Sequence, residues 1–230
     1  MAVPFYVSPE QLMKDRAEYA RKGIARGRAL VALEYADGVL FIGENPSRSL
    51  YKTSEIYDRI AYAAVGKYNE FEALRVSGIR LADVKGYQYG RDDVTAKNLA
   101  NAFSQALGAI FMGDNKPFEV EILIAQVNGP GAAELYHILY DGSIVDEHGF
   151  VAIGGQAEDL TTALSQRYED GGMPLERAVA VGVEVLSGTT DRSIPASDLE
   201  VSGLSRARTR RKFFRLDEAA VAQLLPAPSA

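Results

Sequence analysis

Three sets of residues have types and spacings that could do chemistry. Ser8, Ser47 and Ser49, with His137 or His148, supply the hydroxyl and imidazole of a serine hydrolase. The Gly-x-Ser-x-Gly context that would expose such a serine is missing, so helix capping and loop polarity account for these residues better. His137 falls in a strand, as a packed or edge residue. His148 lies beside Asp146 and Glu147 in a solvated turn. Gly154-Gly155, between a strand and a helix, has the look of a phosphate cradle. It lacks the glycine spacing and the lysine of a P-loop, which leaves tight strand-to-helix packing as the better account. Arg206, Arg208, Arg210, Arg211, Lys212 and Arg215 form a basic run. Alternation along a strand makes it a solvated or contact face rather than a nucleic-acid surface.

Composition removes other chemistries. The chain has 25 Lys and Arg against 31 Asp and Glu, a net charge of −6. A dedicated nucleic-acid binder needs the opposite sign. There is no cysteine, so disulfides, thiolate metal sites and cysteine nucleophiles are excluded. Two histidines are too few for a multi-histidine metal centre. Nothing points to a metal or another cofactor. The N-terminus lacks the basic and apolar regions of a targeting signal, and no apolar run reaches membrane-span length. The expected setting is cytoplasmic, without a membrane or nucleic-acid partner. A hydrophobic share of 47% in 230 residues is enough for a sizeable core.

The elements that must position these residues follow from periodicity. Ser8 as N-cap, Pro9 at the first helical position and Gln11 completing a capping box open a helix. Its stripe is Met13, Ala17, Ala20 and Ile24, and Gly23 and Gly27 end it. Its opposite face carries the mixed charges Lys14, Asp15, Glu18, Arg21 and Lys22. Apolar runs at 29–35 and 39–42 flank the turn Ala36-Asp37-Gly38, and their continuity predicts strands covered on both faces. A polar loop spans 44–49, and 60–65 is a further buried strand. A helix runs from about Lys67 into the Leu81 region, with Phe71, Leu74, Gly78 and Leu81 on one side. The next starts near Asp93 or Thr95, with the stripe Leu99, Phe103, Ala106 and Ile110. A loop at 112–117 precedes a strand at 119–127 and a meander through 135–140, 144–145 and 150–153. Helices at 156–168 and 174–186, a loop at 187–193, strands at 197–202 and 208–216, and a helix at 218–225 complete the chain. This order predicts one α+β domain in four layers, two sheets face to face with helices outside.

At this point the sequence resembles a known family. Ser8-Pro9 opening a helix, Glu18-Tyr19-Ala20-Arg21 near its end, and the turn Ala36-Asp37-Gly38-Val39-Leu40 between two strands are similar to the start of a proteasome α-type subunit. Asn45-Pro46-Ser47-Arg48-Ser49-Leu50, Lys52, Tyr57-Asp58-Arg59, Gly66-Lys67, Asn69-Glu70-Phe71, Gly86-Tyr87, Asp93-Val94-Thr95 and Tyr140-Asp141-Gly142-Ser143 resemble the actinobacterial branch. The collinear set carries the resemblance. It weakens at 128–133 and after Leu216.

The resemblance implies an α/β/β/α sandwich of the N-terminal-nucleophile-hydrolase type, preceded by an extra helix. Within one domain, 1–230, residues 1–7 would be a gating tail, 8–26 the α-type helix, 28–216 the body, and 217–230 a C-terminal helix and tail. It implies a homo-heptameric α ring that stacks on rings of proteasome β subunits, gates substrate admission, templates assembly and docks a hexameric AAA ATPase delivering tagged proteins. The gate would be Ala2, Val3, Pro4, Phe5, Tyr6 and Val7. The ATPase carboxylate would be held by Lys52, or by Arg59, nearer the position used in other branches. Met112, Gly113, Asp114, Asn115 and Lys116 would line an inner constriction. No catalytic residue is expected. In β-type relatives a processed threonine opens the first strand and is activated by its own amine. Here that position falls at or beside Arg28. The one Gly-Thr dipeptide, Gly188-Thr189, would leave only the last 42 residues after cleavage. Two rivals stay open: an active N-terminal-nucleophile hydrolase of a simpler ring, and a non-proteolytic ring adaptor.

Overall fold

Ser8 caps the first helix, α1 (Pro9–Ala25). Its Oγ accepts from the Gln11 N–H at 3.2 Å, and Pro9 takes a position where no N–H is needed. The reciprocal half of the capping box is missing, because Gln11 Nε2 donates to Asp15 at 2.7 Å. Gly23 does not end the helix. It packs against the Glu119 side chain, which a Cβ at that point would strike. The chain is a computed structural model that describes residues 8–113, 116–129, 131, 133–169, 172–190 and 192–225.

β1 (Leu30–Tyr35) and β2 (Gly38–Glu44) pair antiparallel across the Ala36-Asp37 turn. Leu30 and Ala32 face one apolar cluster while Val31 and Leu33 face another, so the strand is apolar up to Glu34. Glu44, expected in a loop, is the last residue of β2. β3 (Thr53–Tyr57) was not foreseen. Its Thr-Ser-Glu opening shows no apolar alternation, because it is the edge strand of its sheet. It pairs with β4 (Ile60–Gly66).

α2 (Tyr68–Gln88) runs one to two turns past its expected end. It buries Phe71, Leu74, Gly78 and Ala82, while Leu81 is 41% exposed. The correction is a step of four from Gly78, not three. α3 (Ala96–Met112) is capped by Thr95 and buries Leu99, Phe103, Leu107 and Phe111. Ala106 and Ile110 flank that face, again because the stripe advances by four at each step.

β5 (Val120–Gln126), β6 (Glu134–Ile138) and β7 (Ile144–Glu147) continue the sheet of β3 and β4 in the order β3-β4-β5-β6-β7. β8 (Phe150–Ile153) does not extend this meander. It crosses to the other sheet and pairs with β1, a switch local pattern does not encode. α4 (Ala157–Ser165) and α5 (Leu175–Thr190) follow. α5 continues through Ser187, Gly188 and Thr189, which had been read as a loop. The two threonine hydroxyls satisfy themselves on carbonyls one turn back. β9 (Leu199–Ser205) and β10 (Phe213–Leu216) complete the first sheet, β10-β9-β2-β1-β8. The basic run from Arg206 to Lys212 is therefore a turn between them rather than a strand face. α6 (Glu218–Leu224) is capped by Asp217.

The layers follow from three apolar clusters. One lies between the sheets and includes Leu30, Phe41, Ala63, Leu123 and Leu135. The second joins the first sheet to α4, α5 and α6, and the third joins the other sheet to α2 and α3. The fold is the expected α/β/β/α sandwich. α1 closes one end of it, because its Ala20 and Ile24 belong to the cluster between the sheets. Leu107, 0% exposed in the third cluster, should cost about 2–5 kcal/mol when replaced by Ala. Leu81→Ala should change thermal stability by less than about 0.5 kcal/mol. Equal losses in denaturant unfolding would contradict the helix faces described.

Candidate gate and docking site

The end of the sandwich covered by α1 holds the site. Arg28, exposed, stands just before β1 where the two sheets open. Its guanidinium lies 3.4 Å from Glu44, a buried carboxylate that also accepts from Arg192 at 2.5 Å. The Arg28 carbonyl accepts from Lys52 Nζ at 2.6 Å. Burial lowers the Lys52 amine to about 8. Glu200 and Glu44 oppose that shift, and Arg28 adds to it. An ammonium so placed suits an incoming carboxylate better than a covalent role, since the residue beside it is an arginine with no hydroxyl.

A second buried carboxylate orients Lys52. Glu200, on β9, accepts from the backbone N–H groups of Lys52 at 2.9 Å and Thr53 at 3.0 Å. It also accepts from Thr53 Oγ1 at 2.5 Å, Asn45 Nδ2 at 2.6 Å and Arg215 Nη1 at 2.7 Å. Burial would raise its pKa, but these donors together hold it below the ordinary value. Arg215 in turn stacks 3.8 Å from the Tyr51 ring. A cavity of about 340 Å³ opens beside this cluster, lined among others by Arg48, Tyr51, Ser197 and Arg215. Glu200, Glu44 and Arg215 were not singled out from the sequence as parts of this site. A charged residue within an apolar strand run, as at Glu200, is the one signal that could have marked them.

Arg59 lies elsewhere. It lies in the turn after β3, whereas Lys52 precedes that strand, so the five-residue strand sets them roughly 17 Å apart. Its guanidinium is held by the Asp92 carbonyl at 2.9 Å and carboxylate at 3.4 Å. Ala2–Val7, expected from the resemblance to form a gate, lie outside the described residues, as do Asp114 and Asn115. Of the constriction residues described, Met112 is 68% exposed. Lys116 is tied at 2.5 Å to the buried Glu70 and at 3.1 Å to Glu119, with its ammonium 5.8 Å from the Tyr19 ring of α1. The loop after α3 is thereby anchored to α1. Arg16 strengthens the link by donating to the Phe111 and Ile110 carbonyls at 2.7 and 3.2 Å.

The other chemistry-bearing residues have structural partners. Ser8 caps α1, and Ser47 Oγ accepts from the Leu50 N–H at 3.1 Å. Gly154 sits at φ +92°, a left-handed conformation that favours glycine, and Gly155 N–H donates to the Gly27 carbonyl. A Cβ at Gly155 would lie under 3 Å from two carbonyl oxygens, so this pair packs the β8–α4 junction against the end of α1. His137 sits between Glu121 at 3.7 Å and Glu147 at 3.6 Å.

The chain belongs to the proteasome subunit family. The family model described as "Proteasome subunit" matches residues 24–202. The chain is 55% identical to "Proteasome subunit alpha" of Kineococcus radiotolerans over 234 residues, covering 98% of each chain. It is 55% identical to the protein of that name from Acidothermus cellulolyticus over 231 residues, again 98% of each. It is 56% identical to that from Streptomyces griseus subsp. griseus, covering all of this chain and 87% of the relative. With α1 ahead of β1, these matches place it among the α-type subunits, as the resemblance in the sequence implied.

His137 makes stability depend on pH. Burial opposes its charge, but Glu121 and Glu147 outweigh it and raise its pKa from the ordinary 6.5 to about 9. The stabilisation is fully present below pH 6.5 and is lost as pH rises through 9. His137→Gln should therefore lower unfolding stability by about 1–3 kcal/mol near neutrality and converge on the parent protein at alkaline pH. A constant difference across that range, read by denaturant unfolding, would refute the charged assignment.

Proposed function

We propose that this chain is a non-catalytic α-ring subunit of a bacterial proteasome core. In this reading it is no enzyme alone but part of a threonine-type endopeptidase complex whose nucleophiles lie on β subunits. Seven copies form a ring that stacks on β subunits in the cytoplasm and templates their assembly. Residues 1–7 converge on the ring axis and control the admission of tagged substrates. A hexameric ATPase docks by placing a C-terminal carboxylate on Lys52.

The observation that carries the reading is the state of the sandwich mouth. A catalytic member of this fold needs a free amine and a hydroxyl where β1 begins. Here Arg28 occupies that point, its main chain runs on into α1, and Lys52 donates to its carbonyl. The cluster keeps a cation beside Glu200, and its two hydroxyls, Thr53 and Ser202, are buried and engaged, Thr53 donating to Glu200 and Ser202 to Thr53. Electrostatic capture of a carboxylate is the chemistry that remains. The gating role is supported by Phe5, Tyr6 and Val7, apolar residues that seven converging copies could pack together.

Two outcomes test this in particles co-expressed with a β subunit. Removing residues 2–7 should raise hydrolysis of small peptides by about tenfold or more, and an unchanged rate would exclude the gate. Lys52→Ala should leave assembly and small-peptide cleavage intact while abolishing ATPase-stimulated degradation. The amine at about 8 adds a sign: affinity for a peptide with a free C-terminal carboxylate should fall as pH rises above 8, by up to about tenfold per unit. Lys52→Arg should flatten that profile, and an amidated peptide should not bind. A profile unaffected by Lys52→Arg would remove Lys52 from the docking site.

A further inference from the structure

The end of the sandwich opposite α1 holds a second set of polar groups. The turns at 36–37, 58–59 and 206–212 meet there with the stretch after β5. Main-chain hydrogen bonds tie them together. The Lys212 N–H donates to the Asp58 carbonyl at 2.8 Å, and the Val127 N–H donates to the Arg59 carbonyl at 3.2 Å. The Arg206 N–H donates to the Asp37 carbonyl at 2.7 Å. Backbone bonding, rather than long side chains, therefore fixes the rim. A cavity of about 430 Å³ opens within it, lined by Arg59, Val127, Asn128, Gly129, Arg206 and Lys212. Nothing lies within 4 Å of the point where a Cβ would stand on Gly129, so the approach on that side is open.

Every ionisable side chain on this lining is a cation. Arg206 is partly buried, and its Nε is buried with no acceptor among the described residues. A guanidinium cannot shed its proton, so its burial is not relieved by neutralisation. A buried donor left open is destabilising until an acceptor arrives. The Lys212 ammonium donates to the Arg206 carbonyl at 2.9 Å and to the Arg208 carbonyl, and it has no carboxylate partner among the described residues. Arg59 lies 3.4 Å from the Asp92 carboxylate, but Asp92 is 98% exposed, and such a pair is weak. The neighbouring acids are engaged elsewhere. Asp58 takes Arg91, Glu55 takes Arg211, and Glu134 accepts from Asn128 and Tyr136. Asp37 is exposed in its own turn.

We propose that this cavity binds a phosphate group, free or esterified on a small molecule. Two guanidinium groups and an ammonium around one opening match the charge and the many acceptor oxygens of a phosphate, one of which fills the open Arg206 donor. A carboxylate, with two oxygens and one charge, leaves part of that set unmatched. The cavity is larger than the ion, which leaves room for an organic body along the arginine and lysine stems. A net charge of −6 does not oppose this, because the field that a small anion meets is local. The site stands at the other end of β3 from Lys52, so the inference is independent of the docking and ring readings. Arg59, set apart from Lys52 by the fold, has its own use here.

Isothermal titration calorimetry of the full chain tests it, with inorganic phosphate and ribose 5-phosphate as probes and acetate as the carboxylate control. Both phosphates should bind with a Kd of about 1 mM or tighter, and acetate should bind at least about tenfold more weakly. Arg206→Gln, which keeps the main-chain bond to Asp37, should weaken both phosphates by about tenfold or more, and Arg59→Gln by about threefold or more. Arg177→Gln, on α5 and outside the cavity lining, should leave them unchanged. Tighter binding of the ester assigns the cavity to a phosphorylated small molecule, and equal binding assigns it to the inorganic ion; either result upholds the site. No binding of either phosphate at about 10 mM overturns the proposal, as does acetate binding equally well. So does an Arg206→Gln protein that binds like the parent. If Arg206→Gln loses its cooperative thermal melt, Arg59→Gln decides the matter, and parent-like affinity in that variant overturns the proposal.

Discussion

The site depends on one buried carboxylate. Glu200 gathers donors from Asn45, Lys52, Thr53 and Arg215, segments about 150 residues apart in the chain. Removing a carboxylate from water is costly unless its lone pairs are filled, and here several donors fill them. The result is a joint between the edge strand β3 and β9, the strand next to the edge of the opposite sheet. Lys52 inherits its orientation from that joint. Its ammonium is placed by main-chain hydrogen bonds on either side of its own Cα, not by a loop free to wander.

The same end of the molecule is closed by its first helix. Here α1 is continuous with β1 and inserts Ala20 and Ile24 into the cluster between the sheets. Arg16 and Tyr19 then fasten α1 to the end of α3 and to the loop after it. Gly155 brings the β8–α4 junction to within hydrogen-bonding distance of Gly27. α1 is therefore a braced element, and Lys116, after α3, shares the brace.

Electrostatics acts at two ranges. At short range, Glu44, Glu70 and Glu200 are buried acids that each hold a cation in place. At long range, the surplus charges lie on opposite edges of the sandwich. Stability itself comes from the three apolar clusters, which dwarf any surface pair in area removed from water.

Much of this was legible in the residues themselves. Ser8, Thr95 and Asp217 announced helix starts through local hydrogen bonding, and the continuous apolar runs of β1, β2 and β4 announced burial on both faces. The absence of a hydroxyl at position 28 and the abrupt changes of charge along the chain are also properties of sequence alone. Tertiary structure decided the rest. β3 was invisible because an edge strand needs no apolar alternation. β8 changed sheets because its partner, β1, lies more than a hundred residues away. α5 ran on through Ser, Gly and Thr because packing against the first sheet outweighs their weak helix propensity. Lys52 and Arg59, equivalent as isolated cations, were separated by which end of β3 each occupies. Local periodicity records what one segment does with its own neighbours. Which distant backbone group meets a buried carboxylate is settled only when the sheets close over it.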